Sequence, residues 1–378
     1  MKEGEGDGQG CMPGCEYFIG NHDKIDSPAL VVYEDRVRDN IRLAVSMAGD
    51  VSRLRPHVKT HKMAAVCSMM MEEGISRFKC ATIAEAEMLA MVGAPDVLLA
   101  YQPVGPKVGR LRRLVETYPG TLFSCLTDNG ESASFINSMF EGAGARLNIF
   151  IDVNVGMGRT GVSAEDAPGL SEVISRLPNL RLTGIHGYDG HIHHADLKAR
   201  KEEADKSFGI FKRVYEAIRP SFPYPLIRVM GGTPTFPVHI RREGVECSPG
   251  TFVFWDMGYG RAYPDMPFKH AALVMGRVVS RPDMRRICID TGYKSVASEN
   301  PLPRIYFLNA PGIVPVSHSE EHLVAEGDGN PYPPGSVLYG VPEHICPTVA
   351  LYEKAFVIKD GVFSSIWPVT ARNRFITI

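Results

Sequence analysis

Short apolar runs alternate with amphipathic segments over the first two thirds of the chain. Most runs have the length of a strand and are bounded by Gly, Pro, Asn or Asp, which is typical of strands that end in turns. The runs are ALVVYE (29–34), RPHVKT (55–60), RFKCATI (77–83), DVLLAYQ (96–102), LFSCLTD (122–128), LNIFIDV (147–153), LTGIHGY (182–188), LIRVMGG (226–232) and VECSPGTFVF (245–254). Repeated alternation of strands and helices predicts a parallel sheet with helices outside it. Eight such units in about 230 residues predict an α/β fold, a (β/α)8 TIM-type barrel.

The first run, ALVVYE, precedes those eight units, so we interpret it as a lead-in strand from a neighbouring domain. A doubly wound open sheet is the alternative fold. No Gly-x-Gly-x-x-Gly motif follows the first strand, and this weakens a dinucleotide-binding interpretation. We expect the barrel to span residues 27–257.

The pattern changes after about Gly258. Segments such as HAALVMGRVVS (270–280) alternate apolar and polar residues between turns, and KDG (359–361) suits a hairpin turn. We therefore predict an antiparallel β domain over residues 258–378. Residues 1–26 are predicted to form a lead-in that joins this domain.

The composition favours a soluble globular protein with a small-molecule partner. Apolar residues make up 44% and charged residues 22% of the 378 positions, and the formal net charge is −2. This balance gives no electrostatic reason to expect nucleic acid or an anionic membrane as a partner. No apolar stretch reaches the roughly 18 residues that a membrane span needs.

The eight cysteines are scattered through the chain rather than spaced as a disulfide framework. This usage predicts a reducing, cytoplasmic compartment. Cys11 and Cys15 form a Cys-x3-Cys pair, but no second pair lies nearby to complete a zinc site. We therefore expect no zinc site at this end of the chain.

The segment RPHVKTHK (55–62) is the most informative part of the sequence. On a strand, residues two apart share a face, so four basic side chains are predicted to point the same way. They are Arg55, His57, Lys59 and His61. Burying unpaired cations together is costly, and an anionic ligand would remove the difficulty. Crowding by cations favours the neutral amine of a lysine, which can form an imine with an aldehyde. A phosphate or surface contact is the alternative role for Lys59.

These features resemble a known family. A lysine at the end of the first barrel strand, followed by a β domain, resembles the fold-type III pyridoxal-phosphate (PLP) enzymes typified by alanine racemase. The octapeptide RPHVKTHK resembles the Schiff-base motif that D-threonine aldolases share with eukaryotic-type D-serine dehydratases. The resemblance runs from about Ser27 to Arg374. It implies PLP bound covalently at Lys59, and a homodimer.

Two loops after the seventh and eighth predicted strands are candidates for the phosphate site. The segment MGGTPT offers backbone N–H groups at Gly231 and Gly232 and a hydroxyl at Thr233. The segment SPGT adds Gly250 and Thr251. In barrels these loops usually hold the phosphate, and the resemblance points to the same segments. Gly–Thr turns are also common without a ligand.

Two further loops supply candidates for contacts with the cofactor ring. Arg159 lies in a Gly-Met-Gly-Arg-x-Gly motif. The resemblance implies that Arg159 contacts the cofactor ring or its O3′ oxygen. A salt bridge with Asp152 within the loop is the alternative. The segment HGYDGHIHHAD is unusually rich in His and Asp. A metal site is one interpretation of it, and we prefer active-site lining by Tyr188 and His191. His57 is a further candidate for a catalytic residue, beside Lys59, Tyr188 and His191.

The segment VPEHICPT places His344 and Cys346 two residues apart. On a strand both side chains would face the same side, and a thiolate with an imidazole suits zinc. Taken alone, a core cysteine beside a surface histidine is the commoner situation. The resemblance implies that this pair holds a catalytic divalent ion. The donor atoms favour zinc as that ion, and manganese or magnesium are alternatives. Open positions would remain for water and a substrate hydroxyl.

The resemblance implies a PLP- and metal-dependent lyase that acts on small D-3-hydroxy amino acids. Dehydration would give a 2-oxo acid and ammonia, whereas retro-aldol cleavage would give glycine and an aldehyde. Both stay open at this point, and Cys346 favours the dehydratase. An alanine-racemase-like isomerase is a second hypothesis, although it would not need the His–Cys pair. A non-catalytic PLP carrier is a third, although it would not need the β domain.

Overall fold

The structure is a computed structural model and describes residues 15–144, 146–327 and 331–378. Its described part contains a parallel sheet of seven strands and a mostly antiparallel sheet of nine. Strand β1 (Ala29–Tyr33) belongs to the second sheet. The parallel sheet consists of β2 (Arg77–Cys80), β3 (Asp96–Leu99), β4 (Leu122–Thr127), β5 (Leu147–Val153), β6 (Leu180–Gly187), β7 (Ile227–Met230) and β8 (Val245–Cys247).

The segment after residue 53 connects the two edges of the parallel sheet. Leu54 pairs in parallel with Cys247 on β8, and His57 pairs in parallel with Lys79 on β2. Pro56 lies between them and has no N–H to contribute to a ladder. The segment thus takes the place of an eighth strand without regular pairing. The predicted fold class, a TIM-type barrel followed by an antiparallel β domain, is confirmed.

Helices cover the outside of the barrel, because all but the first of them connect two parallel segments of the barrel. They are α1 (Glu34–Ala48), α2 (Ala64–Glu72), α3 (Ile83–Met91), α4 (Pro106–Thr117), α5 (Gly130–Met139), α6 (Ala167–Ser175), α7 (Leu197–Ile218) and α8 (Phe236–His239). Single 3₁₀ turns lie at Cys15–Tyr17, His22–Lys24, Val51–Arg53, Arg219–Ser221, Thr251–Val253 and Thr370–Arg372. The N-terminus of α3 is capped by Thr82, whose hydroxyl accepts a hydrogen bond from the N–H of Glu85.

The second sheet continues the chain after α9 (Met257–Ala262). Its remaining strands are β9 (Ala272–Ser280), β10 (Arg286–Ile289), β11 (Ile305–Phe307), β12 (Val314–His318), β13 (Leu323–Glu326), β14 (Val337–Pro342), β15 (Lys354–Lys359) and β16 (Val362–Pro368). The short helix α10 (Ile345–Val349) interrupts it between β14 and β15. The turn between β15 and β16 has positive φ at Asp360 (50°) and Gly361 (73°), as a tight hairpin requires.

The lead-in strand joins the second sheet. β1 pairs antiparallel with β9 and parallel with β15, and all five of its residues are buried. Residues 15–24 carry two 3₁₀ turns rather than a further strand. Cys11, one half of the Cys-x3-Cys pair, lies outside the described residues. Among the described helices, none is both long and apolar enough to cross a bilayer.

Candidate active site

Lys59 lies in a turn, not on a strand. Residues 58–61 form this turn at the end of the barrel-closing segment, and Lys59 is exposed there. His57 is buried, and its Nδ1 accepts a hydrogen bond from the N–H of Lys59 at 3.2 Å. The predicted alternation of Arg55, His57, Lys59 and His61 on one strand face is therefore wrong, because the backbone stops being extended at Val58.

Two of the four basic residues do not contribute to a ligand site. Arg55 is fully buried and pairs with Asp96 and Glu246, each at 2.7 Å. Its charge is compensated inside the protein, so it needs no ligand. His61 packs against Phe254, and burial lowers the pKa of His61 to about 3. This imidazole is therefore neutral at physiological pH.

Three cationic side chains surround the ring of Tyr188. The distances to its centroid are 5.9 Å from Lys59 Nζ, 5.6 Å from Lys79 Nζ and 5.1 Å from the guanidinium carbon of Arg159. Tyr188 follows β6 and Arg159 lies in the loop after β5, so the carboxyl ends of neighbouring strands bring these groups together. Lys59, Arg159 and Tyr188 were candidates from the sequence; Lys79 was not.

Lys79 begins a buried chain of polar side chains beneath this cluster. Its Nζ lies 2.7 Å from Nε2 of His186, whose Nδ1 lies 2.7 Å from Oδ1 of Asp152. The hydroxyl of Thr160 donates to Oδ2 of the same carboxylate at 2.8 Å. The loop partner of Asp152 is therefore Thr160, and the salt bridge between Asp152 and Arg159 is not formed.

Burial affects the pKa values of all three titratable groups, Lys79, His186 and Asp152. Burial, reinforced by the nearby charge of Lys59, lowers the pKa of Lys79 to about 7. Burial and the charge of Lys79 also lower the pKa of His186. Burial opposes the charge of Asp152, but hydrogen bonds from His186 and Thr160 lower the pKa of this carboxyl group. Asp152 is thus ionised and His186 neutral at pH 7.

The two glycine-containing loops lie against each other. The hydroxyl oxygen of Thr233 accepts hydrogen bonds from the N–H groups of Gly250 (2.9 Å) and Thr251 (3.2 Å). A Cβ at Gly250 would lie 2.9 Å from the carbonyl oxygen of His57, so only glycine fits there. Gly231 has a φ of +79°, which also favours glycine. These loops therefore form a close-packed rim next to the Lys59 turn.

A buried histidine–aspartate pair supports the first of these loops, and the sequence patterns did not identify it. Asp189 accepts a hydrogen bond from the hydroxyl of Thr235 at 2.8 Å, and its other oxygen lies 2.7 Å from Nε2 of His239. Both partners follow β7, so the pair ties the loop after β6 to the loop after β7. A Cβ at Gly231 would clash with these same two side chains. His191, by contrast, is exposed and lies beside Gly156, and its catalytic role stays a prediction.

His344 and Cys346 do not share a strand face. β14 ends at Pro342, His344 is the N-cap of α10, and Cys346 lies in the first turn of that helix. The strand argument is therefore wrong, but the helix start still brings the two side chains into contact. Burial opposes a charge on His344, yet the interactions with Cys346, Asp256 and Glu299 raise the pKa of His344 to about 9.

Contacts of Cys346 bring the β domain to the Lys59 turn. Sγ of Cys346 lies 3.2 Å from the hydroxyl of Thr60 and 3.8 Å from that of Thr251. Nδ1 of His344 lies 2.6 Å from a carboxylate oxygen of Glu299. In the described part of the chain, no three His, Cys, Asp or Glu side chains converge as a ligand set. The pair can therefore supply two ligands, a thiolate and an imidazole, and this donor set suits zinc.

The surroundings of Lys59 fit pyridoxal phosphate. An exposed amine is available to the aldehyde, and Tyr188 and Arg159 lie beside it. Ser248, in the loop after β8, has a buried hydroxyl without a hydrogen-bond partner in the described residues, which leaves a polar group for a phosphate. A closed parallel barrel with an exposed lysine and a glycine-containing rim at its carboxyl end is the architecture of the fold-type III PLP enzymes.

Comparisons with known proteins agree with this class. The model described as "Alanine racemase, N-terminal domain" matches residues 32–257, and the one described as "Putative serine dehydratase domain" matches residues 271–358. The chain belongs to the alanine racemase N-terminal domain family. The resemblance predicted from RPHVKTHK is confirmed.

Relatives over nearly the whole chain are lyases. A D-threonine aldolase of Arthrobacter sp. is 28% identical, with 93% of each chain covered. A D-threo-3-hydroxyaspartate dehydratase of Delftia sp. is 27% identical, covering 87% of this chain and 93% of the relative. The solved structure of a D-threonine aldolase from Filomicrobium marinum superposes with a TM-score of 0.86 at 26% identity, covering 92% of this chain and 96% of the other. This chain is a PLP-dependent lyase.

Proposed function

We propose that this lyase acts on small D-3-hydroxy amino acids and needs a divalent metal ion as well as PLP. The single observation that carries the proposal is the contact of 3.2 Å between Sγ of Cys346 and the hydroxyl of Thr60, the neighbour of Lys59. This contact supports the proposal, because Cys346, one of the two candidate metal ligands, lies next to the turn that carries Lys59. The substrates named for the relatives above, threonine and 3-hydroxyaspartate, both carry a 3-hydroxyl group that a metal ion there would reach.

The side chains on the barrel side would bind and orient the cofactor. Lys59 would hold it covalently, Tyr188 and Arg159 would contact its ring, and the loops around Gly231, Gly232, Thr233, Gly250 and Thr251 would hold its phosphate. The cofactor, when bound, supplies the electron sink for bond cleavage at Cα. Lys59 would carry a proton at Cα, and His57, Tyr188 and His191 stay candidates for further contacts with the substrate.

His344 and Cys346 would hold the metal ion, for which zinc fits the donor set and manganese or magnesium are alternatives. Glu299, 2.6 Å from Nδ1 of His344, would fix the orientation of the imidazole, as carboxylates commonly do behind metal-bound histidines. The ion would supply Lewis-acid polarisation of the 3-hydroxyl group. An isomerase that acts only at Cα would not need this pair.

Two reactions are compatible with the same site. Elimination of the 3-hydroxyl group gives a 2-oxo acid and ammonia, and Cα–Cβ cleavage gives glycine and an aldehyde. The thiolate ligand favours the dehydratase, and we propose this reaction first.

We further propose a cytoplasmic homodimer without nucleic-acid or membrane partners, on the basis of the scattered cysteines, the charge balance and the family resemblance.

Product analysis tests the proposal. The purified protein, loaded with PLP and zinc, is given D-threonine, D-serine and D-threo-3-hydroxyaspartate before and after chelation. We expect 2-oxobutanoate from D-threonine, loss of turnover on chelation, and a pyridoxyl group on Lys59 after borohydride reduction. Glycine with acetaldehyde would identify the aldolase instead. Racemisation of D-alanine that survives chelation, without cleavage of any hydroxy amino acid, would refute the proposed substrate class.

A further inference from the structure

Lys79 is a buried lysine to which the proposed function gives no task. It is 3% exposed, on β2, and its Nζ contacts the imidazole of His186 instead of a carboxylate. A lysine kept away from water without a direct counter-ion is costly to the fold. Such a residue at the carboxyl end of a barrel strand calls for a chemical explanation.

The hydrogen bonds among Asp152, His186 and Lys79 fix the direction in which a proton can move. Asp152 is an ionised acceptor, so Nδ1 of His186 carries the proton of their 2.7 Å contact. The neutral imidazole then presents the lone pair of Nε2 to Lys79. This is the arrangement in which a buried carboxylate holds a histidine ready to accept a proton from its third partner.

The other end of this series of contacts lies at the ring of Tyr188, as Lys59 does. Nζ of Lys79 and Nζ of Lys59 lie 5.6 Å and 5.9 Å from the same ring centroid, that of Tyr188. The charges that act on Lys79 come from the Lys59 turn, from Asp152 on β5, from Arg159 in the loop after β5 and from Arg55 before the turn. His186 on β6, the buried His57 and the ring of Tyr188 are further titratable neighbours.

We propose that Asp152, His186 and Lys79 form a proton relay that serves the amine of Lys59. The inference rests on the proposed function, in which Lys59 takes up and returns a proton at Cα. Lys79 is a positioning residue in this relay, because it acts through Lys59.

The proton balance of the relay is simple. When Lys59 has taken a proton, its ammonium group passes that proton through one intervening water molecule to the neutral amine of Lys79. Lys79 shares it with Nε2 of His186, and the ionised Asp152 stabilises the resulting imidazolium. The return of the proton reverses each step, so no group gains or loses an electron. A neutral Lys79 is needed to receive the proton, and the pKa of about 7 makes half of it neutral near pH 7.

Chemical rescue tests the relay. In the PLP-loaded protein, Lys79→Ala should keep a visible imine absorbance and still yield pyridoxyl-Lys59 after borohydride reduction. Its turnover should fall by about 10²-fold, and methylamine, which fits the space left by the side chain, should restore at least about a tenth of the lost activity. The change of imine absorbance with pH near 7 in the wild type should disappear in the variant.

Two further variants separate a relay from a structural role. Asp152→Asn keeps the shape of the side chain but offers its amide N–H to His186, so Nε2 becomes a donor; turnover should fall by a similar factor and methylamine should not restore it. Lys212→Ala, which removes an exposed lysine from the outer helix α7, should leave turnover and spectrum unchanged.

The outcomes distinguish the relay from the proposed function. If wild-type protein forms no pyridoxyl-Lys59, both ideas fail. If it does, but Lys79→Ala keeps turnover within about threefold of the wild type or fails to respond to methylamine, the relay is wrong and the proposed function stands.

Discussion

The barrel side and the β-domain side of the site are built differently. On the barrel side, Lys79, His186 and Asp152 are buried and joined by contacts of 2.7 Å. On the β-domain side, the side chains of His344 and Glu299 are 44% and 46% exposed. The first arrangement fixes proton positions before any ligand arrives. The second leaves room at its two metal-ligand candidates for an ion, water and substrate.

The proposed function divides the work between the two sheets in the same way. Groups that set protonation need low solvent access, because burial makes their interactions strong. Groups that exchange a metal ion or a substrate oxygen need open coordination positions. The contact between Cys346 and Thr60 joins the two sides. Variants that affect one side and spare the other can therefore test this division.

The largest effect is expected for Cys346→Ala. Removing one of two protein ligands should lower metal-supported turnover by more than about 10²-fold, since loss of a residue behind a ligand already costs 10- to 100-fold. Turnover against added zinc measures it. Cys288→Ala, at a half-buried thiol on β10, is the control and should behave as wild type. Equal effects of the two variants would contradict a metal role for Cys346.

A backbone contact of the barrel side can be broken with Gly250→Ala. The added methyl group meets the carbonyl oxygen of His57 at 2.9 Å, so the free energy of unfolding should fall by about 1–3 kcal/mol and PLP should bind more weakly. Urea denaturation and PLP titration measure these effects. Gly209→Ala, in the middle of α7 where nothing lies within 4 Å, should be stabilising by up to about 1 kcal/mol. Equal stability of both variants would exclude a tight rim at Gly250.

A smaller effect on the β-domain side is expected for Glu299→Gln. The neutral amide holds the imidazole of His344 less firmly than the carboxylate, so zinc affinity should fall by about tenfold, while the yield of pyridoxyl-Lys59 stays the same. Competition with a chromogenic chelator measures the affinity. Glu320→Gln, at an exposed partner of Lys294, should bind zinc normally. Unchanged affinity in Glu299→Gln would show that the contact with His344 does not support the metal.

The smallest effect concerns His61. Burial lowers its pKa to about 3 in the folded protein, against about 6.5 in the unfolded chain. Between these values the unfolded state binds the extra proton, so folding stability decreases as pH falls through this range. His61→Phe removes this histidine's contribution to the pH dependence. As pH falls around pH 5, the free energy of unfolding of the variant should therefore decrease by about 1.4 kcal/mol less per pH unit than that of the wild type. Urea denaturation at pH 5 and pH 6 measures the difference. His322→Phe, at an exposed histidine, is the control. The same change of stability with pH in the wild type and both variants would refute the expectation.

The sequence predicted the elements that depend on local pattern. Strand–helix alternation indicated the barrel and polar–apolar alternation indicated the second sheet, because burial on one or two faces imposes a period on apolar residues. RPHVKTHK indicated the family through its resemblance to a known motif, whereas the role of Lys59 stays a prediction. Gly231 and Gly250 were predicted to let the backbone approach a phosphate, and that role stays a prediction. The structure shows only that both positions are too crowded for a larger residue.

The tertiary structure decided which side chains meet. The alternation argument failed at Lys59 and at Cys346 for the same reason: side chains alternate only while the backbone is extended, and a turn and a five-residue helix begin there. Lys79 and His186 are 107 positions apart, and Glu299 and His344 are 45 apart. No local pattern links such residues, because parallel strand order and sheet pairing alone bring them within hydrogen-bond distance.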